Sequence, residues 1–263
     1  MNSAASDKRQ PGFTLVELLV SLGIFLLVIG AAFTLLGSSQ NRYQTESQVL
    51  TSFQEARLGL DQIVRDVNDA GYPPPSYLGT DPTRFTITPF AWNPGYAGSI
   101  SCVIGTGGGG TCATPSDFDL IIETNPNPQD ASCAPSPCQV QWIRYQLQTP
   151  PAVQVPTLMR GAVYKSGNNP DAATSAAGVL APFVQNVVNT PAQPIFSYTC
   201  DTLATPQSAP LPCPLAAPAD NFPANIRDVM INLIVATPQL DAATGQPRVV
   251  ELRGRGRRIN PNF

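Results

Sequence analysis

The chain has 263 residues, and its 15 basic and 18 acidic side chains leave a net charge of −3. Charged residues make up only 13% of it, whereas it holds 28 prolines and 20 glycines, a composition more typical of an exported, loop-rich β domain than of a cytosolic enzyme. The low net charge argues against a general attraction to nucleic acid. The sequence contains no histidine, so it lacks the usual base of Ser-His or Cys-His catalysis. These features favour a structural protein without cofactor or metal over the alternative, an envelope enzyme on a membrane anchor.

A continuous apolar run lies near the N-terminus and carries a single acid at its start. Leu18–Leu36 has no charged residue, and its nineteen residues would span about 28 Å as a helix, close to the hydrocarbon thickness of a bilayer. The following GSSQNRYQTESQ matches a signal-peptidase site poorly, which favours a membrane-spanning helix over a cleaved secretory signal. Glu17 needs an explanation, because a charge at the centre of a membrane helix costs roughly 2.5–3.5 kcal/mol and usually marks a functional site.

The apolar pattern becomes one-sided after this run. Gly71 and the prolines from Pro73 to Pro75 mark a helix end, and no proline interrupts Phe13–Tyr72. We therefore expect a single helix of about sixty residues, roughly 90 Å long, whose second half packs against a folded domain. The stripe that predicts this packing recurs at steps of three and four residues and comprises Val49, Phe53, Ala56, Leu60, Ile63, Val64 and Val67.

The rest of the chain predicts strands separated by turns, so the predicted fold is α+β, a long N-terminal helix packed on an antiparallel β-sheet domain. The periodicity of Gly178–Asn189 does not distinguish a short helix from an extended crossover, and the proline-rich Thr205–Pro223 is expected to be a surface loop. A hairpin connection, PQLDAATGQP, joins the last two predicted strands. We expect strands at Arg84–Phe90, Asp117–Thr124, Val140–Gln148, Thr157–Gly161, Pro194–Cys200, Ile226–Thr237 and Arg248–Gly256.

Six cysteines all follow the apolar run. An even number of cysteines in an exported protein favours disulfides, although six allow fifteen pairings. Zinc is the alternative, but the chain has neither a CxxC spacing nor a histidine. We expect three local loops, each around a glycine- or proline-rich stretch: Cys102–Cys112, Cys133–Cys138 and Cys200–Cys213.

An arginine-rich segment, RVVELRGRGRR, follows the last predicted turn. Arg253, Arg255 and Arg257 fall on one side of a strand, with Arg248 and Arg258 nearby, and such a basic patch can hold phosphates of a nucleic acid. A solvated strand edge that discourages aggregation is the more common role, as is pairing with acids of a neighbouring subunit. Nucleic acid is therefore the less favoured partner.

The residues around Glu17 form an ordered pattern directly before the apolar run. Lys8 and Arg9 lie in a short basic leader, and then come Gly12, Phe13, Thr14, Leu15, Val16 and Glu17. This pattern resembles the class III signal of type IV prepilins and pseudopilins. The resemblance implies that prepilin peptidase cuts between Gly12 and Phe13, that Phe13 is N-methylated, and that Thr14 and Glu17 serve assembly.

In that family the glutamate faces the N-terminal amine of a neighbouring subunit. Such pairing would offset the cost of the buried carboxylate and fix the axial register between helices. The alternative to this signal is an ordinary signal anchor with a chance glutamate. The alternative to the pairing is that Glu17, near the helix end, reaches the lipid headgroups.

The resemblance extends beyond the signal to PilW-type minor pilins. It implies a structural subunit that helps prime or cap a type IV pilus; a J-class minor pseudopilin of a type II secretion system, with the same layout, is the alternative. The cysteine loops and the proline-rich insertion depart from the family. The similar residues are Tyr43, Gln54–Arg57, Arg65-Asp66, Ala70-Gly71-Tyr72, and the later motifs RYQL, LMRG and FSY before two long strands.

The resemblance also implies four segments. These are a leader at 1–12, the transmembrane and assembly half of the helix at 13–37, its amphipathic half at 38–72, and a β-rich head at 73–263. The expected partners are other minor and major pilins, prepilin peptidase, the inner-membrane assembly platform and the membrane itself. Before assembly the chain would cross the inner membrane once with its head in the periplasm, and it would then reach the pilus and cell surface.

Overall fold

A computed structural model describes residues 12–74, 83–92, 104, 113–125, 127, 139–152, 154–201, 211–213, 222–241 and 244–259. The predicted α+β class is confirmed, with a long N-terminal helix packed on antiparallel sheets. The helices are α1 (Leu15–Asn68), α2 (Pro170–Thr174) and a 3-10 turn (Pro223–Asn225). The strands are β1 (Phe90–Ala91), β2 (Asp119–Thr124), β3 (Gln141–Gln148), β4 (Thr157–Tyr164), β5 (Ala181–Gln185), β6 (Phe196–Cys200), β7 (Leu211–Pro212), β8 (Ile226–Leu240) and β9 (Pro247–Arg257).

Helix α1 is continuous over 54 residues, slightly shorter than the sixty expected. It begins after Thr14, which caps it, and ends before Gly71, whose φ of 82° is a left-handed conformation that suits glycine. The predicted apolar stripe is confirmed over the second half, because its members face the head. Ala56, Leu60, Ile63 and Val67 are buried, while Val49, Phe53 and Val64 are half-buried.

Two antiparallel sheets form the head. The first has the order β1-β2-β3-β4-β5 and the second the order β7-β6-β8-β9. Helix α1 packs chiefly on β8 and β9, with smaller contacts to β5 and β2. The main core therefore lies between the helix and the two sheets, and includes Ile63, Leu120, Tyr145, Phe196 and Leu233.

A smaller cluster covers the other face of the first sheet. Ile121 and Trp142 pack there with Ala91, and Ala173 of α2 lies against them. Strand β2 is consequently buried on both faces, which explains why its central residues Leu120–Ile122 are apolar in succession rather than alternating with polar ones.

Close approach of β9 to α1 depends on two glycines. A Cβ atom at Gly254 would lie 2.7 Å from Leu60 Cδ1, and one at Gly256 would lie 2.5 Å from Val67 Cγ1. The alternation in the sequence RGRGR thus places glycines against the helix and arginines on the outer face.

The predicted strand at Arg84–Phe90 is wrong for all but its last residue. Its backbone groups bond to other parts of the chain: the Thr86 N–H donates to the Pro73 carbonyl at 2.9 Å, and the Ile87 N–H donates to Glu123 Oε1 at 2.9 Å. These hydrogen bonds to distant residues take the place of the regular hydrogen bonds that a strand makes with a neighbouring strand.

Other boundaries also differ from the prediction. Strand β4 continues to Tyr164 and β8 continues to Leu240, beyond their predicted ends at Gly161 and Thr237. The ambiguous Gly178–Asn189 contains strand β5, and the expected surface loop Thr205–Pro223 contains the short strand β7, which pairs with β6. Helix α2 was not predicted.

Candidate functional site

Thr14 and Glu17 form a reciprocal cap at the start of α1. Thr14 Oγ1 accepts the Glu17 N–H at 3.3 Å, while the Thr14 N–H and hydroxyl both donate to Glu17 Oε2 at 3.1 Å. This capping box satisfies backbone donors that have no partner inside the helix. It also aims the Glu17 carboxylate back toward Phe13, the residue beside the predicted cleavage point, whose side chain is exposed.

The first half of α1 presents an apolar surface that packs on no part of the chain that the structure describes. Its most apolar 18-residue window has a mean hydropathy of 2.6 and is 0% buried. Among the described residues this is the one helix long and apolar enough to cross a membrane. Such a surface needs lipid or neighbouring helices to cover it.

The second half of α1 is tied to the head through Asp66. Its Oδ2 accepts the Tyr145 hydroxyl at 2.6 Å and Arg160 Nη2 at 2.9 Å, and its Oδ1 accepts Gln62 Nε2 at 2.7 Å. Burial, reinforced by the Asp66 carboxylate, raises the pKa of Tyr145 well above its ordinary value, so the phenol remains a donor.

Several residues of the sequence motifs meet at this attachment of helix and head. Tyr145 of RYQL lies opposite Arg160 of LMRG in the sheet register, and both bind Asp66. Glu55 Oε1 accepts the Gln185 N–H at 2.9 Å, and the Gly71 N–H donates to the Glu123 carbonyl at 2.9 Å. These motif residues therefore join α1 to the first sheet.

Sequence reasoning missed two buried charge networks in the head. Lys165 Nζ lies 2.5 Å from Glu123 Oε1, and both side chains are almost completely buried. Arg144 binds Asp119 through two nitrogens and Asp171 through a third contact at 2.7 Å. The available signal was Glu123, an acid next to the apolar residues of strand β2, although its partner Lys165 lies 42 residues away in sequence.

Among the described residues, no group of three or more acidic, cysteine or histidine side chains is placed to hold a metal ion.

The arginines of β9 do not form a uniform patch. Arg253 pairs with Glu251 at 2.7 Å, and Arg255 pairs with the buried Asp228 at 2.7 Å. Arg258 is instead nearly buried, where it donates to the Ala224 carbonyl and where burial lowers its pKa. Part of the predicted positive charge is therefore already matched within the chain.

Cys200 and Cys213 are joined by a disulfide with a Cα–Cα distance of 5.7 Å. This pairing, expected from the sequence, connects the end of β6 to the residue after β7. The other predicted pairs, Cys102–Cys112 and Cys133–Cys138, lie outside the described residues.

Comparison with protein families matches residues 7–33 to the prokaryotic N-terminal methylation motif. The chain therefore carries an N-terminal methylation motif that overlaps the start of α1. The match supports a type IV prepilin-like or pseudopilin protein, implies processing by prepilin peptidase and pilin assembly, and fits membrane anchoring by α1. No curated protein and no solved structure matches the chain.

Proposed function

We propose that the chain is a minor pilin, a structural subunit that helps prime or cap a type IV pilus. Prepilin peptidase would cut between Gly12 and Phe13, and the new amine of Phe13 would be methylated. One observation carries the proposal. The methylation motif continues without a break into a helix whose apolar half packs on no described part of its own chain. A surface of this kind fits a position inside a bundle of similar helices.

Glu17 has the geometry to bind a neighbour while its own helix remains capped. Both Thr14 donors reach Oε2, whereas Oε1 makes no hydrogen bond to any described residue. An incoming ammonium group can therefore bind Oε1 without opening the cap. In a low-dielectric helix bundle this pairing would recover much of the cost of the carboxylate.

Because the head is tightly attached to α1, pairing at Glu17 would also fix the position of the head along the filament. The Asp66 contacts and the glycine-mediated packing of β9 hold α1 against both sheets. A register set at Glu17 would then fix where each head lies along the filament axis, because the continuous helix connects them. The apolar side chains of Leu18–Leu36 specify register weakly by themselves, since similar residues recur along the run.

The proposal is tested by separating the charge of Glu17 from its role in the cap. Glu17→Gln keeps an acceptor suitable for the capping box but removes the carboxylate, and Glu17→Val removes both. Both variants should be inserted and processed normally, because the uncharged helix suits lipid better. They should be lost from sheared filaments and from crosslinks to partner pilins. Asp61→Asn, at an exposed acid of the same helix, is the matched control.

Normal incorporation of the Glu17→Gln protein would contradict the pairing role. A deletion strain distinguishes a type IV pilus from a type II secretion system. Deletion of the chain should reduce piliation if it is a minor pilin, and should instead abolish secretion of exported enzymes if it is a J-class pseudopilin.

A further inference from the structure

The β8–β9 hairpin runs along α1 toward its apolar half. Gly256 lies against Val67, and Gly254 lies against Leu60. From its C-terminal end toward its start, β9 therefore runs along α1 toward the N-terminus of the helix. Further along, Gln48 Nε2 donates to Gln239 Oε1 at 2.8 Å. At the end of the hairpin, a cleft of about 530 Å³ opens between the strands and the helix. Its lining includes Ser38, Asn41, Arg42, Glu46, Asp241 and Arg248.

The part of the cleft nearest the apolar run lies at the depth expected for lipid headgroups. With a rise of 1.5 Å per residue, Ser38 to Arg42 lie about 3 to 9 Å beyond Leu36, the last residue of the apolar run. The headgroup layer of one leaflet is about 5 to 8 Å thick. Helix side chains slant toward the N-terminus, so Arg42 and Glu46 lean toward the membrane rather than away from it.

The charges of the cleft leave hydrogen-bonding capacity unused. Arg248 Nε donates to the nearly buried Asp241 at 2.8 Å, which orients the guanidinium while its two Nη groups bind no described residue. Arg42 and Glu46 are one helical turn apart, where opposite charges commonly pair, yet neither has an ion-pair partner among the described residues. Two arginines and two acids make the lining electrically neutral.

We propose that this cleft binds the headgroup of a phospholipid. The phosphate would lie between Arg42 and Arg248, since guanidinium groups match phosphate oxygens through several charge-assisted hydrogen bonds. Glu46 would receive the ammonium of an ethanolamine headgroup, which suits the neutral lining better than an anionic headgroup does.

Binding there would hold the head at a fixed height above the membrane before assembly. The proposal rests on the membrane-anchored precursor of the proposed function. Its test, however, needs no filament, so the failure of one does not imply the failure of the other.

Native mass spectrometry of the full chain in detergent micelles tests the proposal. The protein is titrated with short-chain phosphatidylethanolamine, with short-chain phosphatidylglycerol, and with water-soluble glycerophosphoethanolamine. We expect the ethanolamine lipid to bind best. Arg42→Gln and Arg248→Gln should each weaken its binding about tenfold, the effect of losing one hydrogen bond to a charged group.

Two further variants make the result specific. Arg57→Gln, at an exposed arginine of the same helix, should bind like the parent protein. Glu46→Gln should retain phospholipid binding but lose the preference for ethanolamine over glycerol. Because Arg248→Gln also removes the partner of Asp241, the decisive variant is Arg42→Gln, which breaks no contact of the described chain.

Equal binding by the parent and the Arg42→Gln protein would overturn the proposal. An equal loss in the Arg57→Gln protein would also overturn it, because the effect would then be general electrostatics. If glycerophosphoethanolamine bound as tightly as phosphatidylethanolamine does, the ligand of the cleft would be a soluble phosphodiester instead of a lipid. The Glu17→Gln protein should bind lipid normally even if it fails to assemble.

Discussion

The two halves of α1 share one backbone helix but have opposite surroundings. From Leu15 to about Ser47 the side chains are almost all exposed, whereas from Gln48 onward a stripe is buried against the head. The two halves differ in how their apolar side chains are distributed around the helix. A helix that is apolar on every side finds its partners outside the chain, while a helix with one apolar face finds them within it.

The glycines of the two halves show the same contrast. An added Cβ at Gly23, Gly30 or Gly37 would meet no described atom within 4 Å. At Gly59, in contrast, it would lie 2.5 Å from Val184 Cγ2. Packing against the head therefore requires a glycine at position 59. Packing within the described chain requires none at positions 23, 30 and 37.

If the first half is independent of the head, damage to the head core should leave the membrane anchor working. Lys165→Met removes the ion pair that Lys165 makes with the buried Glu123, and should lower the free energy of unfolding of the head by about 3–5 kcal/mol. Denaturant titration of the purified protein measures this loss, and carbonate extraction should show unchanged membrane insertion. Arg253→Met, which breaks an exposed pair, should cost less than about 1 kcal/mol.

The disulfide belongs to the head alone and should affect only that region. Cys200 and Cys213 are 13 residues apart, and a bond closing a loop of this size contributes about 3 kcal/mol in the chain-entropy estimate. Replacing both with alanine should reduce the denaturant midpoint of the head accordingly. If the double-alanine protein also inserted less well into the membrane, the two halves of α1 would not be independent.

A glycine pair compares the two halves directly. Gly256→Val introduces a side chain against Val67 and should destabilise the head by about 1–3 kcal/mol, because overpacking displaces β9 from α1. Gly30→Val places the same side chain on the exposed half and should leave the unfolding transition of the head unchanged. Equal destabilisation by both substitutions would show that the first half also packs within the chain.

The smallest expected effect is a pH dependence confined to the head. Burial alone would raise the pKa of Asp228, but hydrogen bonds from Arg255 and Thr199 hold it below its ordinary value of 3.8. A depressed pKa contributes stability that is complete above pH 3.8 and is lost as the pH falls through the folded-state value. Arg255→Gln should therefore be less stable than the parent at neutral pH, with the difference shrinking in acid. A constant difference from pH 7 to pH 3 would contradict this.

The parts of the fold that could be predicted depend on local pattern. The apolar run, the stripe from Ala56 to Val67, and strands such as β3 and β8 follow from residue periodicity alone. The segment Arg84–Pro89 could not be predicted, because its hydrogen bonds go to residues distant in sequence. Helix α2 is only five residues long, although Asn169 and Pro170 are recognisable start signals.

The candidate site divides in the same way. Thr14 and Glu17 are three residues apart, so a sequence motif contains their whole geometry. The attachment at Asp66 and the cleft beside Arg42 depend on how strands far along the chain align with α1. Such alignment is a property of the tertiary fold and leaves no local signature.

Intact-mass analysis of the protein purified from membranes tests the central claim most directly. We predict a mature chain that starts at Phe13 and carries one additional methyl group on its amine. Gly12→Val should keep the leader, since a cleavage site that requires glycine cannot accept a branched residue, whereas Gly23→Val should be processed normally. A protein that retains Met1, or one that starts after Ala32, would contradict cleavage between Gly12 and Phe13.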